Sequence, residues 1–343
     1  MESKQKNNNL HNSSLSSRAS IKAGIIGGAG YTGGEMIRLL INHPSVTISF
    51  IHSSSNADNK VSKIHSDLTG ETDLVFTDSM NMNIDVLFLC VGHGDAKKFL
   101  AENPLTDDIK VIDLSQDFRL QPESSGVNRS FVYGLPELNK EKIKSAKNIA
   151  NPGCFATAIQ LGLLPLAQAG VLGDVFTTGI TGSTGAGQGL AATSQFSWRA
   201  NNIQAYKSLQ HQHIHEIHQS LQQLQGNDKM CVNFVPWRGD FTRGIYISSV
   251  LDCGLSLDVI KELYAAFYHD QPFTQVSDQM IDLKQVVNTN KCLIYIEKQG
   301  SKIVIHSAID NLLKGASGQA VQNMNLLFGL EEAVGLKLKA AFF

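Results

Sequence analysis

Nowhere in this 343-residue chain do apolar residues run on for the roughly 18 positions that a membrane-spanning helix requires, and residues 1–20 lack the apolar core of a secretory signal. No run of Lys and Arg occurs either. With a net charge of -2, neither nucleic acid nor an anionic membrane has an electrostatic reason to bind, so small molecules are the expected partners. Cysteine is scarce and shows no pairing pattern. Cys90, Cys154, Cys231, Cys253 and Cys292 contain no CxxC and are odd in number, which argues against a disulfide or zinc framework and fits a reducing, cytoplasmic setting. In that setting each thiol is by default a small buried hydrophobe, and reactivity needs a local cause.

What the chain does have is apolar residues, 42% of the total against 17% charged, enough for one large or two ordinary cores. Two domains are expected. The Asn- and Ser-rich residues 1–20 have little to bury and read as a disordered tail.

"IKAGIIGGAGYTGGEMIRLL" reads as strand, glycine turn and helix. Gly28-Ala29-Gly30-Tyr31-Thr32-Gly33 satisfies GxGxxG, whose glycines permit a tight turn, approach of a pyrophosphate and close helix packing, with the helix N-terminus facing the anion. The following strand, "VTISFIHSSSN", ends about 20 residues past Gly33, where NAD enzymes place an acid for the ribose diol. Ser53, Ser54 and Ser55 stand there instead. With no carboxylate to repel a 2'-phosphate, NADP(H) is the expected cofactor, although no arginine sits there to secure it. "IDVLFLCVG" and "KVIDLSQDF" extend the pattern to a doubly wound α/β Rossmann-type parallel sheet and bring "GHGD" (92–95) and "SQDFR" (115–119) near the cofactor.

"NPGCFATAIQLGLLPLAQAG" starts a helix at or near Cys154 and is expected to break near Pro165. A thiol at a helix N-terminus meets free N–H groups and the positive end of the dipole, which lower its pKa and make Cys154 the candidate nucleophile. A dinucleotide fold with such a cysteine suggests hydride transfer at a thioester-level carbon, which calls for a proton donor. "HQHIHEIH" (211–218) offers one, since imidazole titrates near neutrality and a carboxylate such as Glu216 can orient it.

"GAGYTGGE", "DLSQDFRL", "YGLPEL", "NPGCFATA", "GSTGAGQG", "HQHIHEI", "DFTRGI" and "IDNLLKGASGQAVQNMN" occur in an order that resembles the N-acyl-γ-glutamyl-phosphate reductase family, relatives of aspartate-semialdehyde dehydrogenase, over roughly residues 22–330. The family usually reads His-Arg-His-x-Pro-Glu where this chain has His211-Gln212-His213-Ile214-His215-Glu216. The arginine's role therefore does not carry over. The resemblance implies His213 as acid/base, with His211 its rival, Glu216 as its orienting partner, and His215 and His218 as solvated helix residues; no metal site is expected. It further implies a Cys154 thioester formed from an acyl phosphate and reduced by NADPH.

Such a substrate carries two anions, for which Arg119 and Arg243 are candidates, each equally able to serve a structural salt bridge. Gly185, in "TGSTGAGQG", is expected to line the site, where backbone N–H groups of this stretch can meet an anion. The expected organisation is a cofactor domain over 21–153 plus 311–343, with Asn311 and Gly315 against the nicotinamide, and an α+β catalytic and oligomerisation domain over 154–310. A homodimer or homotetramer is implied. Two readings compete: another phosphorylating semialdehyde dehydrogenase of the aspartate-semialdehyde type, and an NADP-binding sensor without turnover.

Overall fold

The computed structural model describes residues 20–227 and 229–343; of the expected tail only Ser20 lies inside that range. The first seven strands are β1 (Ile21–Ile26), β2 (Val46–His52), β3 (Val86–Leu89), β4 (Lys110–Asp113), β5 (Ser125–Gly126), β6 (Arg129–Tyr133) and β7 (Asn148–Ala150). They form one sheet in the order β2-β1-β3-β4-β7-β6-β5, parallel throughout except for the β5–β6 hairpin. Helices α1 (Tyr31–Ile41), α2 (Val61–Ile64), α3 (Asp95–Glu102) and α4 (Pro136–Ser145) connect these strands. A parallel sheet needs cover on both faces, and the pleat of β3 shows how it is supplied. Val86 and Phe88 enter the core under α1, while Leu87 and Leu89 enter the one under α3.

After α5 (Cys154–Gln168) the chain builds a second sheet from β8 (Asp174–Thr181), β9 (Gln204–Ala205), β10 (Cys231–Arg238), β11 (Ile245–Asp252), β12 (Thr274–Ser277), β13 (Cys292–Gln299) and β14 (Lys302–Ile309). Its order, β12-β13-β14-β11-β8-β10-β9, mixes parallel and antiparallel pairs. The remaining helices are α6 (Phe196–Arg199), α7 (His213–Gln225), α8 (Leu257–Tyr268) and α9 (Ser317–Leu327). α5, α7 and α8 bury one face of this sheet. The other face is covered at one end by Ile281 and Val286 and is open around Phe176 on β8, which is 62% exposed. α9 returns to pack on α1 and α4 of the first unit.

The expected break at Pro165 does not occur, because α5 continues through it to Gln168. An interior proline deprives the carbonyl four residues earlier of its N–H donor, at a cost of about 3 kcal/mol. Here that carbonyl, Leu161 O, accepts the Tyr268 hydroxyl, and the adjacent Gly162 O accepts the Tyr264 hydroxyl, both from α8. The missing donor is replaced from outside the helix.

Candidate active site

The turn between β1 and α1 has the tightness its glycines predict. Gly27 has φ of 80°, and a Cβ on Gly33 would lie 2.4 Å from Gly27 O. Gly28 packs where a Cβ would meet Ile51 at 2.2 Å, and Ala29 packs on the core beneath α1. Gly30, Tyr31 and Thr32 then line a cavity of about 570 Å³. No side chain caps the α1 N-terminus, so its first-turn N–H groups remain available to an anion. Ser53, Ser54 and Ser55 do follow β2, but they are not among the cavity's lining residues. Ser53 is buried and Ser54 and Ser55 are exposed, beside the glycine turn rather than in the cavity.

Cys154 is the first residue of α5 and faces the same cavity. Two glycines make the approach possible. A Cβ on Gly315 would sit 2.8 Å from the Cys154 Cβ, and one on Gly153 would sit 2.3 Å from His213 Nε2. The His213 ring therefore lies against the residue preceding the nucleophile. Asn311 and Gly315 also line the cavity, Asn311 being held by Gly244 N, which donates to its Oδ1, and by its own Nδ2, which donates to Thr184 Oγ1. Among the described residues no group of three or more His, Cys, Asp or Glu side chains is arranged to hold a metal.

The expected low thiol pKa is not found. Burial pushes the Cys154 thiol up to about 11, outweighing the N–H groups of Phe155 and Cys154 and the field of Arg119, which favour the thiolate. The histidines move the other way. Burial, then His213 and Lys207, bring His211 down to about 3, and burial, then Arg119, take His213 well below its ordinary value. At neutral pH the resting pair is thiol and neutral imidazole. The His213 backbone N–H donates to His211 Nδ1 at 3.2 Å, while His213 Nδ1 is buried without a partner among the described residues.

Glu216 does not orient His213 by a hydrogen bond, because the gap from Nε2 to Oε1 is 3.9 Å. Both carboxylate oxygens are taken by other donors. Arg119 Nη1 donates to Oε1 at 3.1 Å, and Tyr133 Oη and Gly153 N each donate to Oε2 at 3.0 Å. Gln160 Nε2 donates in turn to Tyr133 Oη at 2.8 Å. Glu216 thus anchors the turn that carries the nucleophile, and Tyr133 comes from "YGLPEL".

Both arginines singled out by sequence are already engaged with protein partners. Arg119 lines the cavity, but its Nε, Nη1 and Nη2 donate to Asn151 O, Glu216 and Leu114 O. Arg243 pairs with both oxygens of Asp310 and, at 2.6 Å, with Glu35 of α1, fastening the second unit to the first. Gly185 lines the cavity, yet its N–H donates to Gly182 O. His218 is not fully solvated, since it accepts the Val232 N–H; His215 is exposed. Sequence reasoning missed Tyr206, Lys207 and Arg238, which also line the cavity. For Arg238 a signal existed: a charged residue closing an alternating strand.

Residues 22–146 match the family described as "Semialdehyde dehydrogenase, NAD binding domain", and residues 154–311 match "Semialdehyde dehydrogenase, dimerisation domain". Curated relatives named N-acetyl-gamma-glutamyl-phosphate reductase include one from Phocaeicola vulgatus, 57% identical over 94% of this chain and 100% of its own length. Another, from Christiangramia forsetii, is 54% identical over the same shares. Among solved structures, aspartate semialdehyde dehydrogenase II from Vibrio cholerae, complexed with ASA, superposes with a TM-score of 0.70 at 16% identity, over 91% of this chain and 99% of that one. Aspartate semialdehyde dehydrogenase with NADP from Candida albicans gives 0.66 at 16% identity, over 90% and 98%.

Proposed function

The chain belongs to the semialdehyde dehydrogenase family, alongside the N-acetyl-gamma-glutamyl-phosphate reductases, and from that premise we propose that it reduces an N-acyl-γ-glutamyl phosphate to the N-acylglutamate semialdehyde, with NADPH as hydride source. The observation that carries the reading is Cys154 at the start of α5, facing one cavity with the glycine turn and with His213. Neither competing reading is favoured by the named relatives.

The residues fit a dinucleotide. The uncapped α1 N-terminus and the turn at Gly27–Gly33 leave room for a pyrophosphate, and Asn311 and Gly315 lie beside the nucleophile for a nicotinamide. NADPH, when bound, supplies hydride to the thioester carbon. In our reading neutral His213 takes the Cys154 proton as sulfur attacks the acyl carbon, and the carbon–oxygen bond to phosphate breaks with its electron pair on phosphate, which is protonated from solvent. The imidazolium next to Gly153 stabilises the oxyanion left after reduction. When the carbon–sulfur bond breaks and the aldehyde forms, the proton returns to sulfur. A neutral resting pair suits this sequence, since His213 becomes charged only during turnover.

For the organisation we propose a cofactor unit over 21–153 plus 311–343 and a catalytic and oligomerisation unit over 154–310. A dimerisation domain is present. The open face of the second sheet, around Phe176, suits contact with a second copy, in a homodimer or homotetramer. No helix among the described residues is long and apolar enough to cross a membrane, and a free catalytic thiol suits a reducing cytoplasm.

The test runs the reaction in reverse, following nicotinamide absorbance with NADP, inorganic phosphate and either N-acetyl- or N-succinyl-glutamate semialdehyde. Reduction of NADP that requires phosphate and vanishes in Cys154→Ala is expected. No signal with either aldehyde, in protein that still binds NADP, would overturn the reading; the preferred aldehyde identifies the acyl group.

A further inference from the structure

The cavity lining carries two cations that the proposed mechanism leaves without work. Lys207 Nζ donates to the neutral Gln212 Oε1 at 3.1 Å. Arg238 Nη1 donates to Thr193 Oγ1 at 3.2 Å, and its guanidinium lies 5.0 Å from the Tyr206 ring centroid. Among the described residues neither makes a salt bridge to a carboxylate, whereas Arg119 and Arg243 both do. Arg199, buried behind this wall and bonded to Gly239 O, lies close enough to Arg238 for their charges to oppose each other. Asp240 offsets part of the Arg199 charge, but two cavity-lining cations without an ion pair of their own call for anions from outside.

The two have different neighbours. Lys207 Nζ bonds Gln212, which stands between His211 and His213 in the chain, so it belongs to the end where the acyl carbon is attacked. Arg238 lies over the ring of Tyr206, and that ring makes an edge contact with His211, their centroids 5.9 Å apart. Tyr206 thus touches both His211, beside the nucleophile's histidine, and Arg238. Accepting the reductase reading on which this rests, we propose that Lys207 holds the phosphate entering or leaving at the acyl carbon, while Arg238 holds the α-carboxylate at the other end of the substrate's carbon chain.

The chemistry suits each partner. An ammonium is a compact point charge that follows a departing phosphate, and a guanidinium offers two parallel donors to a fixed carboxylate. Tyr206, under Arg238, then acts as a spacer. It sets the length of acid the cavity accepts, which makes the substrate class an α-amino acid with an activated side-chain acyl group.

The experiment is steady-state kinetics in the reverse direction, with phosphate and aldehyde varied independently. Lys207→Gln is expected to raise the KM for phosphate tenfold or more and to leave the aldehyde KM within twofold. Arg238→Gln is expected to do the opposite, and to leave kcat/KM unchanged for an aldehyde with hydrogen in place of the α-carboxylate. Lys207→Arg and Arg238→Lys each restore part of the affinity; they carry the same test if a glutamine variant does not fold, as judged by NADP binding. Equal shifts of one KM by both substitutions, no shift by either, or an equal loss by Arg238→Gln on the carboxylate-free aldehyde would overturn the assignment. Absence of phosphate-dependent turnover in the unaltered protein fails the reductase reading itself, and the assignment with it; normal turnover with unmoved KM values fails the assignment alone.

Discussion

Two charged centres face the same cavity and differ in how their donors are spent. Around Glu216 each partner is bonded to protein: Arg119, Tyr133 and Gly153 donate to one buried carboxylate, and Gln160 donates to Tyr133. Elsewhere in the lining, Lys207 and Arg238 bond only neutral oxygens among the described residues, and Arg238 lies over the Tyr206 ring. A buried ion whose donors are consumed internally is architecture, because removing one partner strands the others. A cation without a counter-charge costs the fold little when it is lost and is kept for what it binds.

The sharpest way to break this contrast is Glu216→Ala, which leaves the Arg119 guanidinium buried and three donors without an acceptor. A loss of about 3–5 kcal/mol is expected in urea unfolding, with turnover abolished. A loss near zero would place Glu216 with the open wall instead. Next comes the thiol. Because its pKa is raised to about 11, Cys154 is protonated at neutral pH, and its thiolate fraction climbs as pH rises. Its alkylation by iodoacetamide, taken as the difference from Cys154→Ala because Cys231 is also exposed, should accelerate about tenfold per pH unit from 7 to 10. A plateau near neutrality would mean that the helix terminus prevails over burial.

Tyr133→Phe removes one donor from Glu216 and frees Gln160. We expect about 1–2 kcal/mol of lost stability and a lower kcat with little change in KM, since Gly153 and hence Cys154 are held by the same oxygen. Rising KM with unchanged kcat would put Tyr133 on the substrate rather than behind the nucleophile. The smallest effect sharpens the comparison from the other side. Arg238→Met should move stability by less than about 0.5 kcal/mol in the same unfolding assay, because only the Thr193 bond and the Tyr206 contact are lost.

The sequence carried what was local. A glycine turn between a strand and a helix, and a cysteine behind Asn-Pro-Gly at a helix start, are short-range chemistry, and Gly28–Gly33 and Cys154 stand where that chemistry requires. Partnerships over long separations were not legible. Arg119 and Tyr133 reach Glu216 across 97 and 83 residues, and Arg243 reaches Glu35 across 208, so nothing near those arginines announces that their donors are spent. The thiol's acidity failed for a related reason: a helix terminus can be read from neighbours, but burial is a property of the finished fold. Pro165 misled in the same way, since the donors that rescue its helix lie on α8.

Those two tyrosine hydroxyls also bear on the order of assembly. They come from residues 102 and 107 positions downstream, so as the chain emerges α5 lacks carbonyl partners in its middle until most of the second sheet has been made and α8 has docked. Such high sequence separation makes this contact slow to form. The helix that begins at Cys154 would then gain its full set of carbonyl partners late, only once α8 has packed against it.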